Sequence, residues 1–159
     1  MKTDILESCT YKPEHQIYYD QVLGLTHIIS DTYPGLLNWF NNKFISGLKL
    51  GNERAYSFVV DGAHLAGVSL LKNAPTEKKI CCLFVAPEYR RMGLASQLIQ
   101  ASFKILDTTK PLITVSDNNL SQLQKLLDRY GFELSRSQPG AYRPDLVEYF
   151  YNEHYWQSK

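Results

Sequence analysis

The residues with the clearest chemistry lie in one stretch, Val85-Ala86-Pro87-Glu88-Tyr89-Arg90-Arg91-Met92-Gly93-Leu94-Ala95. An apolar run stops at Pro87, two arginines and a glycine follow, and a helical apolar pattern begins. A strand-to-helix junction of this composition suits an anion. The first turn of a helix leaves four backbone N–H groups without internal acceptors, and the macrodipole adds partial positive charge there. Gly93 has no Cβ to hold a ligand off the main chain. Arg90 and Arg91 place full positive charge where a purely structural helix start would favour Asp or Glu. These features together make a site for phosphate or pyrophosphate. The spacing is neither a dinucleotide fingerprint, since there is no Gly-x-Gly-x-x-Gly, nor a P-loop, since no Gly-Lys-Ser/Thr follows. On spacing alone, solvated arginines and a plain turn explain the residues equally well.

The elements around this junction alternate strand and helix. Residues 4–10 read as a short first strand and residues 13–31 as mostly helical. Pro34 suits a first helical turn, and Leu36, Phe40, Phe44 and Leu48 follow at helical spacing. Residues 55–60 and 65–71 flank Asp61-Gly62, a strong hairpin signal. Residues 79–86 are nearly all apolar and read as a third, buried strand. Residues 91–106 carry an apolar stripe of Leu94, Leu98, Ala101 and Ile105 against a polar side of Ser96, Gln97, Gln100 and Lys104. A buried strand at 112–115 then implies a right-handed parallel crossover. Residues 118–130 form another helix, with Gly131 placed to end it. Residues 132–136 and 148–151 read as a closing antiparallel pair joined through Ser137-Gln138-Pro139-Gly140. The expected fold is therefore an α/β (α+β) domain: one mixed, mostly antiparallel sheet flanked by helices.

Composition narrows the function classes. A chain of 159 residues with 44% apolar and 21% charged residues fits one globular domain, residues 1–159. A net charge of +1 is small for a domain that grips nucleic acid mainly through charge. No apolar run reaches a membrane span, and the N-terminus has no signal-peptide core, so cytoplasmic location is the default expectation. Cys9, Cys81 and Cys82 do not form a disulfide framework. No Cys/His spacing matches a metal site, and no metal is expected.

Val85-x-Pro87-x-Tyr89-Arg90-x-x-Gly93-x-Ala95, with Leu98 after it, resembles the acyl-CoA-binding motif of the GNAT acetyltransferase superfamily. That motif reads Val-x-Pro-x-Tyr-Arg and then Arg/Gln-x-x-Gly-x-Gly/Ala. Asn118-x-x-Ser121 resembles the Asn-x-x-Ala that opens a later helix of the family, and Tyr130-Gly131-Phe132 resembles the Gly-Phe that follows it. Roughly residues 52–136 carry the resemblance. It implies an acetyl-CoA-dependent N-acetyltransferase that moves acetyl directly to a primary amine of a small molecule or protein. The backbone N–H groups of Arg91, Met92, Gly93, Leu94 and Ala95 are then expected to hold the CoA pyrophosphate, helped by the Arg90 and Arg91 side chains. Phe84 and Val85 are expected to bond the pantetheine arm through their main chain, and Asn118 through its side chain. The strands at 79–86 and 112–115 are expected to splay apart to admit it. A toxin-type acetyltransferase acting on aminoacyl-tRNA and a non-catalytic CoA-binding module are the alternatives.

The catalytic groups are less legible. Many family members carry a Tyr four residues before the Gly of Gly-Phe, where this chain has Leu127. Tyr130, one turn on, is the substitute candidate for the acid, with Ser116 and Ser121 as alternatives. For the base, Glu77, Glu53 and Asp61 are candidates, as is water. Cys81 and Cys82 suggest a covalent route, although small residues in a buried strand are commonly core. Tyr33, Trp39 and Phe40 are candidates for the acceptor cleft. The C-terminal aromatics Tyr142, Tyr149, Phe150, Tyr151, Tyr155 and Trp156 suit core packing, an acceptor wall or the edge of a homodimer.

Overall fold

The computed structural model of the protein describes residues 2–29, 33 and 35–156. The expected roles of Asp31 as a helix end and Pro34 as a helix start lie outside the described residues. Seven strands form one sheet in the order β1-β2-β3-β4-β5-β7-β6. They are β1 (Asp4–Ser8), β2 (Arg54–Asp61), β3 (His64–Asn73), β4 (Lys78–Val85), β5 (Leu112–Ser116), β6 (Leu134–Pro139) and β7 (Val147–Tyr151). Only β4 and β5 run parallel. Helices α1 (Gln16–Ile29), α2 (Leu36–Trp39) and α3 (Ser46–Leu50) pack on one face. Helices α4 (Leu94–Leu106) and α5 (Asp117–Arg129) pack on the other. With helices on both sides, β2 and β3 are buried along almost their whole length.

A π-helical stretch, Phe40–Ile45, joins α2 to α3. Its cause is visible in the sequence. Leu36, Phe40, Phe44 and Leu48 repeat every four residues, slower than the 3.6-residue α turn. A widened turn keeps them on one side. Phe40 and Phe44 are both buried and stack with ring centroids 5.6 Å apart. The β2–β3 hairpin forms as the Asp61-Gly62 signal predicts, with Asp61 paired to His64 and Gly62 at φ 59°.

Three expectations shift. The helix after the Arg/Gly turn begins at Leu94 and not at residue 91, because Arg91 and Gly93 take left-handed φ of 65° and 76°. Phe132 belongs to the core under α4 and α5, so the closing strand starts at Leu134 and its loop runs on to Leu146. The third strand of the meander, β4, is central but not uniformly buried. Its half-open pattern reflects what happens beside it. β4 pairs with β5 only at Lys79↔Leu112 and Ile80↔Ile113. The register against β3 slips between Leu70 and Leu71, leaving Cys81 as an extra residue on β4. Such a bulge bends its strand, and beyond it β4 and β5 diverge.

Among the described residues no helix is long and apolar enough to cross a membrane, and no three His, Cys, Asp or Glu side chains gather as a metal site.

Candidate functional site

The divergence of β4 and β5 opens a cleft of about 1070 Å³ that runs from the start of α4, along α5, to the α2 side of the sheet. Five cations line it: Lys79, Arg90, Arg91, Lys125 and Arg129. No Asp or Glu does so among the described residues, and none of the five makes an ion pair there. Unpaired like charges focused between apolar walls attract a polyanion.

The main chain at one end has the same character. After a short 3₁₀ turn, Pro87–Tyr89, the chain passes through left-handed Arg91 and Gly93 into α4. The first helical bond is Gln97 N–H to Gly93 O at 3.2 Å. The N–H groups of residues 91–96 thus donate to no acceptor of the chain among the described residues, and α4 has no side-chain cap and no acid in its first turn. A non-glycine residue in the left-handed region costs about 1–2 kcal/mol, so holding Arg91 there is a local strain of the kind found at binding turns. Arg90 Nε donates to Val85 O at 3.2 Å, with its guanidinium over the Phe84 ring. Tyr89 donates to Asp61 at 3.0 Å, which pins the turn to the hairpin and raises the phenol's pKa through that same bond.

Strand alternation sorts the edge of β4. Ala86 N–H bonds Ala66 O on β3, so Phe84 also presents its main chain to β3. Leu83 and Val85 present theirs to the cleft. Phe84, expected to offer its main chain to the pantetheine arm, gives it to the sheet instead and reaches the cleft by its side chain alone. Arg90, Arg91, Gly93, Leu94, Ala95 and Asn118 all line the cleft, whereas Met92 points outward and is exposed.

Beyond Asn118, sequence reasoning missed the cleft side of α5. Asn118, Gln122, Lys125 and Arg129 recur at three- and four-residue spacing beside the buried Leu127. That polar stripe is readable as such, but it looks like an ordinary solvated face until a strand opens opposite it.

Other candidates disperse. The Tyr130 hydroxyl accepts from Gln100 at 2.8 Å, and its ring meets Phe103 edge-on at 6.0 Å. It lies outside the cleft lining. The physical reason is that Tyr130 caps α5, where the chain leaves the helix against α4. Ser121 is exposed, while Ser116 is buried and bonds Asn118. Glu77 pairs with Lys72 at 3.3 Å, Asp61 accepts from Tyr89, and Glu53 is exposed in the turn before β2. Cys81 and Cys82 do line the cleft. Burial pushes both thiols up, Cys82 to about 12, which disfavours the thiolate a covalent route needs.

At the α2 end, Tyr33, Trp39 and Tyr142 form aromatic walls, with Tyr33 and Tyr142 edge-to-face at 5.7 Å. Phe40 is buried in the core instead. Of the remaining C-terminal aromatics, Tyr151 is core, Phe150 lies under Arg136 at 3.8 Å, and Trp156 donates to Lys110 O at 2.8 Å.

Known structures share this architecture. Ard1 from Thermoplasma volcanium superposes with a TM-score of 0.68 at 15% identity, covering 95% of this chain and 96% of that one. A GNAT-family acetyltransferase from Bacillus cereus gives 0.66 at 18%, covering 95% and 96%. The PaiA N-acetyltransferase from Thermoplasma acidophilum, solved with coenzyme A, gives 0.62 at 14%, covering 93% and 98%. At these identities the likeness is one of fold. No curated protein matches the chain. The sequence profile of the acetyltransferase (GNAT) domain, however, matches residues 38–141, which span the hairpin, the splayed strands, the Arg/Gly turn and α5. This chain therefore belongs to the GNAT acetyltransferase family.

Proposed function

We propose that this chain works as a single domain that transfers the acetyl group of acetyl-CoA directly to a primary amine. One observation carries the reading. Unpaired amides and unpaired cations converge on a strand splay whose described lining holds no carboxylate. The CoA diphosphate fits the N–H groups of residues 91–95, with Arg90 and Arg91 beside them. Lys125 and Arg129 are placed for a further phosphate. The pantetheine arm fits along Leu83, Val85 and Asn118, where β4 lacks a partner strand.

In the transfer, the amine nitrogen attacks the thioester carbonyl, a C–N bond forms, the C–S bond breaks, and the thiolate takes a proton. Main-chain N–H groups of the exposed β4 edge suit the oxyanion that develops. The protonated thiols of Cys81 and Cys82 favour direct transfer over an acetyl-cysteine intermediate. The aromatic walls at the α2 end enclose a small body. Four of the five lining cations sit at the donor end, leaving only Lys79 on the acceptor side. That distribution favours a small-molecule amine over one carried by tRNA.

Calorimetric titration with acetyl-CoA tests the reading. Wild type is expected to bind and Gly93→Asp to bind at least about tenfold more weakly, a loss of about 1.4 kcal/mol. The aspartate adds negative charge beside the diphosphate and a side chain at φ 76°. Equal affinity in both proteins would place the donor elsewhere.

A further inference from the structure

One buried charge is left over from the site so far described. Glu148, on β7, is 3% exposed, and its Oε2 has no hydrogen-bond partner. A buried carboxylate without a full set of partners is costly, so its place in the fold is informative. Glu148 pairs with Ser116 across β5, and Thr114 is the diagonal neighbour on the same face. That face is the α2 side, opposite Ile113, Val115 and Tyr151, which pack under α4 and α5. Thr114, Tyr33 and Lys79 surround the carboxylate, and all three line the cleft. The Tyr33 hydroxyl lies against both Ser116 and Glu148, and Tyr33 itself lines the cleft.

We propose that Tyr33 and Glu148 form a proton relay for the acceptor amine, in which the Tyr33 hydroxyl meets the nitrogen and Glu148 stores the proton. The proposal rests on the acetyl-transfer reading and deepens it. As the ammonium gives one proton to the Tyr33 oxygen, the Tyr33 hydroxyl proton passes to Glu148. Tyrosine stays neutral throughout. The free amine then attacks the thioester, and its second proton ends on the CoA thiolate. After the amide leaves, Glu148 returns its proton to solvent through Tyr33. Burial and the neighbouring carboxylate push the Tyr33 phenol far up, so it serves as a conduit and not as an ionised base. Burial also raises Glu148 above the usual carboxylate range, which matches it better to an amine's proton. Tyr33, Trp39 and Tyr142 wall the chamber, so the acceptor class is a primary monoamine with an aromatic or aliphatic body. A polycation has no carboxylate to meet among the described lining residues.

Glu148 acts through Tyr33, so its test needs a readout that a purely structural role leaves unmoved. With acetyl-CoA as donor and 2-phenylethylamine as the probe, Glu148→Gln and Tyr33→Phe are each expected to lower kcat/KM for the amine by about 100-fold or more. Acetyl-CoA affinity should stay at its wild-type value in both. Glu148→Asp should recover part of the loss. The groups facing Glu148 are Lys79 from β4, which lowers its pKa, and Asp117 from α5, which raises it. Tyr33 and Thr114 lie beside it, and β6 opposes it with uncharged Gln138. The working form is ionised, so wild-type kcat/KM should fall as pH drops through the raised pKa, and this limb should vanish in Glu148→Gln. Tyr33→Phe alters a half-buried side chain and keeps the relay testable if Glu148→Gln folds poorly. Wild-type rates and an unchanged acid limb in the variants would overturn the relay. So would a wild type that binds acetyl-CoA yet leaves the amine unacetylated. Failure of wild type to bind acetyl-CoA would overturn the donor site first, and the relay with it.

Discussion

Arg91 and Gly93 share an unusual backbone state but not its cost. Glycine adopts φ 76° freely, while Arg91 at φ 65° bears the steric cost of a Cβ there. The two residues together turn the chain so that successive amides face the cleft before α4 begins. Tyr130 shows the opposite relation between type and place. Its residue type suits an acid, but its hydroxyl is engaged by Gln100 outside the cleft. Tyr130→Phe is therefore expected to leave kcat within about twofold of wild type, a change of about 0.4 kcal/mol or less. Steady-state kinetics checks this, and a large fall in kcat with unchanged acetyl-CoA affinity would return Tyr130 to the chemistry.

At the scale of elements, two departures from regularity shape the site. The bulge at Cys81 bends β4 away from β5 after two paired residues. The π-helical stretch between α2 and α3 lets a four-residue apolar repeat stay on one face, which seats Trp39 at the cleft while Phe40 and Phe44 fill the core. Phe44 is fully buried. Phe44→Ala is expected to destabilise the protein by about 3–5 kcal/mol, through lost burial and the cavity left behind. Thermal unfolding should show this as a fall in Tm of roughly 10 °C. A fall of only a degree or two would mean that the stretch repacks.

Taken whole, the molecule is nearly neutral, with a net charge of +1, yet its cleft is not. Five cations converge where the described lining has no acid, and the acids are spent elsewhere: Glu77 on Lys72, Glu133 on Lys110, Glu153 on Arg136. Electrostatic attraction to the donor should then be screened by salt. Raising ionic strength from about 0.01 M to about 1 M shortens the Debye length from about 30 Å to about 3 Å. Acetyl-CoA affinity is expected to fall by about tenfold or more over that range, measured by titration at both salt concentrations. An affinity indifferent to salt would assign binding to the main chain and apolar walls.

What was legible in the amino-acid order is what depends on neighbours in the chain. Hydrophobic periodicity, the Asp61-Gly62 hairpin, the parallel crossover and the Arg/Gly turn are all short-range patterns, and each points to its element or site. Helix and strand ends slipped by a few residues, because the left-handed turn at exposed Arg91 leaves no mark in hydrophobic periodicity and the burial of Phe132 is decided by what packs around it. The site beyond the turn was a matter for tertiary structure alone. Nothing near residue 148 in the sequence marks a glutamate facing Tyr33, and the polar stripe of α5 reads as solvated surface. Both acquire meaning because the sheet places β7 beside β5 and the bulge draws β4 away from β5. Contacts between residues far apart in the chain carry no signature in local spacing, so the Arg/Gly turn could be read from sequence while the far end of the cleft required the fold.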